Sequence, residues 1–443
     1  MGVNVATIKN LPENLAYIYG LKRYTKTPSL RVMEKLVSSL GQPHHAYPTI
    51  HITGTVGKGS VASFIAQTLQ QAGLRVALFT SPHLHRFNER IAMSGQPIAD
   101  ERLLELITQL RRRIRALRIR VAFFEFTTAL AFSYFAEEKA DIAVIEAGLG
   151  GLNDPTNVIQ PELSIITQIG LDHTNILGTT KRAIAHDKAG IIKEGIPIVT
   201  AERDPAVVEY LRQISHARHA PLYHVHENLH VHDIEASREG QTFKVYRVLD
   251  QQHERYRIRL LGRHQITNAL TALHALDILN ERGIPVSRGN LKEGLANTRW
   301  EGRLEIVART PLVVVDGAHN EDGAYAVHAF LQESFVPQPE VLILAQKKDK
   351  PNPVMQDVVA PLFKQVIVTE GAFQPLAAEK LAVSLRSTVS SVHVIPDPEK
   401  AVAEGMRRTP KNGLLLITGS LYMIGNAIIA VRKIATQQFL AIP

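Results

Sequence analysis

The apolar positions of this chain change period in a regular order. A short apolar run at Ile50-His51-Ile52 leads into Gly54-Thr55-Val56-Gly57-Lys58-Gly59-Ser60, and a helical pattern then runs to about Gly73. Leu74 to Thr80 reads as a strand closing on Ser81-Pro82-His83, Glu101 to Leu117 as an amphipathic helix, and Phe124 to Glu138 as a very apolar one. Ile142 to Ile145 and Leu163 to Ile166 are the continuous runs expected of parallel strands covered on both faces. Strand, loop, helix and strand in repetition predict a doubly wound α/β domain. Ahead of it, Leu11 to Leu40 reads as largely helical, with a break at Thr27-Pro28-Ser29.

Residues Pro221 to Arg259 change character. Alternations such as His224-Val225-His226 and Phe243-Lys244-Val245-Tyr246 predict antiparallel strands packed onto the main sheet, and a helix follows from Gln265 to Asn280. Strands resume at Leu312–Val315, Val341–Leu344, Val366–Val368, Val392–Ile395 and Leu414–Ile417. The pattern divides the chain into a first domain at residues 1–298, a hinge at 299–308 and a smaller α/β domain at 309–443. The predicted class is therefore α/β: an N-terminal P-loop doubly wound domain followed by a Rossmann-like one. No internal repeat or low-complexity tract interrupts it.

Composition narrows the chemistry. The 443 residues suffice for two or three cores, and 45% hydrophobic with 21% charged residues is ordinary for a globular protein. Without cysteine, disulfides, thiol catalysis and thiolate metal sites are excluded. The net charge of +8 suits anionic small molecules without choosing among them. MGVNVATIKN lacks the apolar core of a signal peptide, Ala6 spoils a myristoylation pattern, and no apolar run is long enough to span a bilayer. The expectation is a cytoplasmic protein with no membrane partner.

The stretch from Gly54 to Ser60 is the strongest functional signal. Glycines at a strand-to-helix corner let the backbone approach an anion, and the helix directs its unpaired N–H groups to the same spot. Lys58 is placed to lie across a phosphate, with the Ser60 hydroxyl near a bound Mg²⁺. The strict G-x4-G-K-[ST] pattern is not met, because Gly54 stands four positions before Lys58 and Gly59 occupies the hydroxyl position. This is a nucleotide-binding loop of a variant kind.

Four clusters follow strand ends, where open α/β sheets place ligands. Ser81 offers an oxygen to a hard cation, or caps a turn. Glu146 ends a buried strand and needs a partner, for which Mg²⁺ at the phosphate loop is the obvious candidate. His173 ligates a metal or satisfies a local hydrogen bond. Lys188, within His186-Asp187-Lys188-Ala189-Gly190, is an ordinary helix lysine, a partner of carboxylate or phosphate, or, once carbamylated by CO₂, an anionic metal ligand.

Taken in order, ITGTVGKGS (52–60), FTSPHLHRFNERI (79–91), EAGLGGLNDPTNV (146–158), IGLDHTNILG (169–178), HDKAGIIKEGIPIV (186–199), GRHQITNA (262–269), TRWEGRLE (298–305), VDGAHN (315–320) and GSLYMIG (419–425) resemble the folate branch of the Mur ligase family. That branch comprises folylpolyglutamate synthase and the bifunctional dihydrofolate synthase. The resemblance implies a two-domain ATP-dependent amide ligase, working as a monomer, with its active site in the interdomain cleft. It implies that Gly57, Lys58, Gly59 and Ser60 hold ATP phosphates, and that Asn268, Arg303 and Asp316 contact nucleotide with His319 close by. It further implies that Ser81, Glu146, His173 and a carbamylated Lys188 bind Mg²⁺, as two ions, and that Lys58, His173 and Lys188 serve catalysis. Phe124, Glu125, Asn153 and Asp154 are implied to lie near the pteroate-bearing substrate.

The substrates implied are glutamate with dihydropteroate, reduced folates or both. ATP converts the acceptor carboxylate to an acyl phosphate, which the glutamate amine attacks. Three departures stand out: Val56 replaces the family's Asn, Leu152 its Arg, and Asp187 its customary Glu. Leu152 and Pro155 leave room for a Mur-like ligase of another carboxylate, and Val56 for a catalytically silent nucleotide-binding protein. Two further patterns carry less. The histidines of HVHENLHVH (His224, His226, His230, His232) read as a surface strand without metal, and the arginines of Arg111 to Arg120 as a solvated helix face with no nucleic-acid partner.

Overall fold

The structure, a computed structural model, describes residues 11–22, 29–349 and 351–440; Ala6 and the expected break at Thr27-Pro28 lie outside them. The chain separates into two compact units, one holding residues up to 230 with 246–252 and 268–297, the other 231–245, 253–267 and 298 onward.

The first unit is built on strands β1 (Thr49–Thr53), β2 (Val76–Phe79), β3 (Ile91–Met93), β4 (Gln96–Pro97), β5 (Ile142–Glu146), β6 (Leu163–Ile166), β7 (Ile198–Thr200) and β8 (Leu222–His224). They lie in the order β4-β3-β2-β5-β1-β6-β7-β8, parallel from β2 to β8, with β3 and β4 antiparallel at the edge. Every residue of β1, β5 and β6 is buried, as parallel strands covered on both faces require. The chain leaves β1 for one side of the sheet and reaches β6 on the other. The C-terminal ends of β5, β1 and β6 therefore flank a topological switch point, where such sheets bind ligands. Ile52 lies opposite Glu146 on one side and Ile165 on the other, which brings the chain following β1 beside those following β5 and β6.

Helices α1 (Leu11–Tyr19), α2 (Arg31–Ser39), α3 (Lys58–Gln71), α4 (Asp100–Leu117) and α5 (Phe123–Glu137) precede β5, and α6 (Lys181–Lys188) precedes β7. α5 is apolar nearly all round and is buried accordingly, from Phe124 to Phe135. α4 turns Leu103, Leu106, Ile107, Leu110 and Ile114 inward at helical spacing. Among the described residues no helix is long and apolar enough to cross a membrane.

The alternation through 221–259 resolves differently from expectation. His224 ends β8, a parallel strand of the main sheet, and Val225–Asn228 is a single helical turn. The strands that follow, β9 (Leu229–Ser237), β10 (Gly240–Arg247) and β11 (Gln252–Ile258), form a separate three-stranded sheet in the order β11-β10-β9. A period of two specifies which residues share a face but not which neighbour a strand pairs with. Arg247, at the end of β10, is buried and paired with Asp277 of the helix Arg263–Glu281. Arg247→Ala removes the direct partner of the partly exposed Asp277 carboxylate, leaving it the more distant Arg288 charge, and is expected to cost about 1–3 kcal/mol in urea unfolding; an unchanged midpoint would show that the pair does not form in solution.

The second unit carries β12 (Glu305–Arg309), β13 (Leu312–Val315), β14 (Pro339–Leu344), β15 (Gln365–Val368), β16 (Val392–Val394) and β17 (Leu414–Thr418), ordered β12-β13-β17-β14-β15-β16. All pair in parallel except β12, which is antiparallel to β13. Residues 305–308 of the expected hinge are therefore sheet, with Ile306 opposite Val314.

Candidate active site

The corner after β1 is shaped by two glycines. Gly54 has φ +153°, and a Cβ there would lie 1.7 Å from Thr167 Oγ1. Gly57 has φ +89°, and a Cβ there would lie 2.4 Å from Asn268 Oδ1. Any L side chain at either position meets both backbone strain and a collision. Thr167, just past β6, donates its hydroxyl to Val56 O at 2.7 Å, while Thr55 N–H donates to Gln168 O at 2.8 Å. The loop is thereby tied to the end of the neighbouring strand. α3 starts at Lys58 with Gly57 as N-cap and no side-chain cap, so its leading N–H groups remain available to an anion.

Two lysine amines converge on one oxygen of this loop. Lys58 Nζ donates to Gly54 O at 3.0 Å, and Lys188 Nζ, from the end of α6, donates to the same oxygen at 2.8 Å. Lys188 is buried, and its amine is pushed down to about 7, first by burial and then by the Lys58 charge, against the opposing pull of Asp187, Asp172 and Asp154. The Lys58 charge, with a second amine on the same carbonyl, favours an anion at this corner.

Glu146 closes β5 as a buried carboxylate and accepts the Ser81 N–H at 3.0 Å. His173 has φ +51° and opens the short turn Thr174–Leu177, and its N–H donates to Asp172 Oδ1 at 2.7 Å. Ser60 and Asn268 are buried, the latter against Gly57. The first unit thus gathers the loop, Lys58, Ser60, Asn268 and Lys188 around Gly54 and its neighbours, with Ser81 and Glu146 at the ends of adjoining strands. Arg303, Asp316 and His319 lie in the second unit. There the buried Asp316 accepts N–H groups from Leu304 at 2.8 Å and Ala318 at 2.7 Å, Arg303 Nη1 donates to Gly302 O at 3.0 Å, and His319 Nδ1 sits 2.8 Å from Gly317 O. Burial raises the Asp316 carboxyl while the Arg303 charge opposes that rise.

The residues expected near the acceptor lie on the start of α5 and on the 148–158 loop. The Phe124 ring occupies the space over Gly148, where a Cβ would come within 2.5 Å of it, and packs on Phe79. Glu125 turns back to accept Ala122 N–H at 2.6 Å, closing the first turn of α5; burial raises its carboxyl. Asp154 accepts Leu149 N–H at 2.9 Å and Thr156 N–H at 3.0 Å, and burial raises it as well. Asn153 is exposed. Glu125 thus fixes the start of α5, and Asp154 the shape of the 148–158 loop. Asp187 holds that loop from the other side, accepting Gly151 N–H at 2.8 Å, a distance its carboxylate spans without the extra methylene of Glu.

Thr167 and the Gly54 carbonyl were absent from the sequence-based set. Thr167 carried one signal, a hydroxyl directly after a buried strand; the carbonyl carried none. The histidine alternation does not survive as a strand. His224 bonds Glu202 O at 2.7 Å, His226 lies in a helical turn beside Arg203, and only His230 and His232 belong to β9. Among the described residues no group of three or more His, Asp or Glu side chains is placed to hold a metal unaided.

An uncapped helix N-terminus after a buried strand, a lysine in the glycine corner and a carboxylate on the adjoining strand define a phosphate-loop nucleotide-binding protein of doubly wound architecture. The Mur ligase middle domain model matches residues 121–276, and that of the Mur ligase glutamate ligase domain matches residues 302–421. A dihydrofolate synthase/folylpolyglutamate synthase of Bacillus subtilis is 37% identical over 93% of this chain and 96% of its own length. The apo form of the Lacticaseibacillus casei folylpolyglutamate synthase superposes with a TM-score of 0.85 at 33% identity, covering 96% of this chain and all of that one. A folylpolyglutamate synthase complex with AMPPCP and folate superposes at 0.79 with 32% identity, covering 98% of this chain and 100% of that one. The chain belongs to the folylpolyglutamate synthase/dihydrofolate synthase family of Mur ligases and is an ATP-dependent ligase.

Proposed function

We propose that this chain joins L-glutamate to the carboxylate of dihydropteroate, of reduced folates, or of both, acting as a cytoplasmic monomer. The observation that carries the reading is the convergence of Lys58 and Lys188 on Gly54 O beside an uncapped helix. The Bacillus subtilis relative carries both activities in its name, and another related structure holds folate with AMPPCP, a methylene analogue of ATP.

In this reading the loop N–H groups and Lys58 bind the triphosphate, with Asn268 against the loop and Arg303, Asp316 and His319 engaging nucleotide. An oxygen of the acceptor carboxylate attacks the γ-phosphorus, ADP leaves, and the acyl phosphate forms. The neutral amine of glutamate adds to the carbonyl carbon, the tetrahedral adduct expels inorganic phosphate, and the surplus amine proton is lost. Lys58 stabilises charge on the transferred phosphoryl group.

The donor set fits Mg²⁺, which takes one or two carboxylates and completes its shell with water and phosphate oxygens. Glu146, the Ser81 hydroxyl and His173 would hold it, and when bound it neutralises the triphosphate. A neutral amine is the form that adds CO₂, and burial pushes Lys188 down to about 7, which gives a large neutral fraction near neutral pH; its carbamate would supply the anion a second ion needs. The ¹³C resonance of a carbamate in ¹³CO₂-equilibrated protein, absent from Lys188→Met, tests this step.

Product analysis with ATP, glutamate and either acceptor is the main test. Label from an ¹⁸O-carboxylate acceptor is expected in the released phosphate; unlabelled phosphate would rule out the acyl phosphate. Glu146→Gln is expected to raise the Mg²⁺ needed for half-maximal rate about 10–100-fold, and an unchanged requirement would remove Glu146 from the metal site. A second reading, ligation to a different carboxylate, rests on Leu152, which is apolar and 39% exposed on the 148–158 loop; a screen of acceptor acids separates the two.

A further inference from the structure

The second half of α4 and the segment after it carry Arg112, Arg113, Arg115, Arg118 and Arg120, all exposed. Among the described residues none of these guanidinium groups has a hydrogen bond or ion pair. Arginines near the first half of the same helix behave otherwise: Arg86 pairs with Asp100 and Arg102 with Glu105. Arg111 is also engaged, bonding Asn14 Oδ1 at 2.7 Å and covering the Tyr17 ring at 4.1 Å. The helix is thus fastened to α1 by Arg111, while among the described residues Arg112, Arg113 and Arg115 are left bare. Cations in a last turn complement the helix dipole, which accounts for Arg115 but not for Arg112, Arg113 or Arg120.

The position of this cluster gives it meaning. The segment 118–122 leads directly into α5, whose Phe124 ring lies over Gly148, next to the strand end that presents Glu146. Arg120 is four residues from Phe124, at most about 14 Å of chain. Phe123 N–H donates to Lys22 O at 2.8 Å, which brings a further exposed cation, without a partner among the described residues, to the same segment. Arg118, Arg120 and Lys22 therefore flank the segment that leads to the loop holding the expected acceptor residues. Arg115 and Arg112 stand about one and two turns back along α4, whereas Arg113 faces a groove lined by Leu40, Leu130 and Glu137.

We propose that Arg112, Arg115, Arg118 and Arg120, with Lys22, bind the carboxylates of an acceptor that already bears several glutamates. The inference rests on the glutamate-ligase reading above. Each γ-linked glutamate adds one α-carboxylate, so an extended acceptor is a flexible polyanion. Arg112 and Arg115 stand at i, i+3 on the helix, with Arg118 at its C-cap and Arg120 just beyond, a series of forked donors that suits repeated carboxylates by bidentate hydrogen bonding. The chain would hold longer acceptors better than shorter ones without a change at the reacting atoms.

The test compares the full-length wild type with R112Q/R115Q/R118Q/R120Q, using reduced folates carrying one or five glutamates at two salt concentrations. The quadruple variant is expected to show a KM for the pentaglutamate raised about tenfold, with the monoglutamate KM and kcat within about twofold of wild type. The wild-type preference for the longer acceptor is expected to fall with salt. An unchanged ratio of the two KM values, or a ratio indifferent to salt, overturns the proposal. Calorimetric binding of free γ-linked pentaglutamate to both proteins reads the arginines without turnover. Absence of any amide product together with arginine-dependent binding faults the ligase reading alone, whereas normal ligation with no binding difference faults this inference alone.

Discussion

Lys188→Met is expected to lower kcat at least ~10³-fold and, in CO₂-free buffer, to make the protein more stable below about pH 7. The amine is buried, donates to Gly54 O and shares that oxygen with Lys58. Burial and the Lys58 charge push it down to about 7, whereas an unfolded lysine keeps its proton to ~10.4. Between those values the unfolded chain holds more protons, so stability rises with pH from about 7 to ~10. At and below about 7 the folded state bears the whole cost of a buried ammonium. Methionine removes that cost, a gain of roughly 2–4 kcal/mol at pH 6 that shrinks toward zero as pH approaches ~10. Urea unfolding at pH 6 and pH 9.5 with steady-state rates tests both halves. A stability difference independent of pH, or a kcat within tenfold of wild type, would contradict the placement of Lys188.

The second large effect is at Gly54. Gly54→Ala sets a Cβ 1.7 Å from Thr167 Oγ1, and Thr167 cannot easily yield because its hydroxyl serves Val56 O. Relief must come from the backbone, which displaces the carbonyl that both lysines use. Nucleotide affinity is expected to fall about 100-fold, with several kcal/mol lost in stability. Gly54→Ala/Thr167→Ala removes the 1.7 Å contact but keeps tight ones to the residue-167 Cβ at 3.0 Å and N at 3.3 Å, with the backbone strain and a lost hydrogen bond. It is expected to recover part of the stability, on the order of 1–2 kcal/mol. Calorimetric binding of AMPPCP and thermal unfolding of both variants test this; a double variant no better than the single one would show that φ, not the collision, controls the corner.

Much of the candidate site was legible because its signals are local. A buried strand, a glycine corner, a lysine and a helix succeed one another within Thr49 to Gln71, and each is recognisable from its own neighbours. Glu146 was equally plain, since a carboxylate ending a buried apolar run needs a partner. Glu125 and Asp154 were harder. Their positions were legible, but a carboxylate three residues into a helix and one before a proline turn can serve the backbone as well as a ligand, and here both accept backbone N–H groups. His224-Val225-His226 misled because alternation survives in sequence even where the strand stops at its first residue.

From the sequence alone came the order of elements, the class of both sheets and the phosphate corner, because hydrophobic period and turn chemistry are properties of adjacent residues. Tertiary structure alone decided that Lys188 meets Gly54 across 134 positions, that Thr167 clamps the loop, that Asp187 locks Gly151, and that Arg112, Arg115, Arg118 and Arg120 find no partner among the described residues. Those facts depend on which strand ends lie side by side and which charges find partners. No local period encodes either; both emerge only when distant segments are packed against one another.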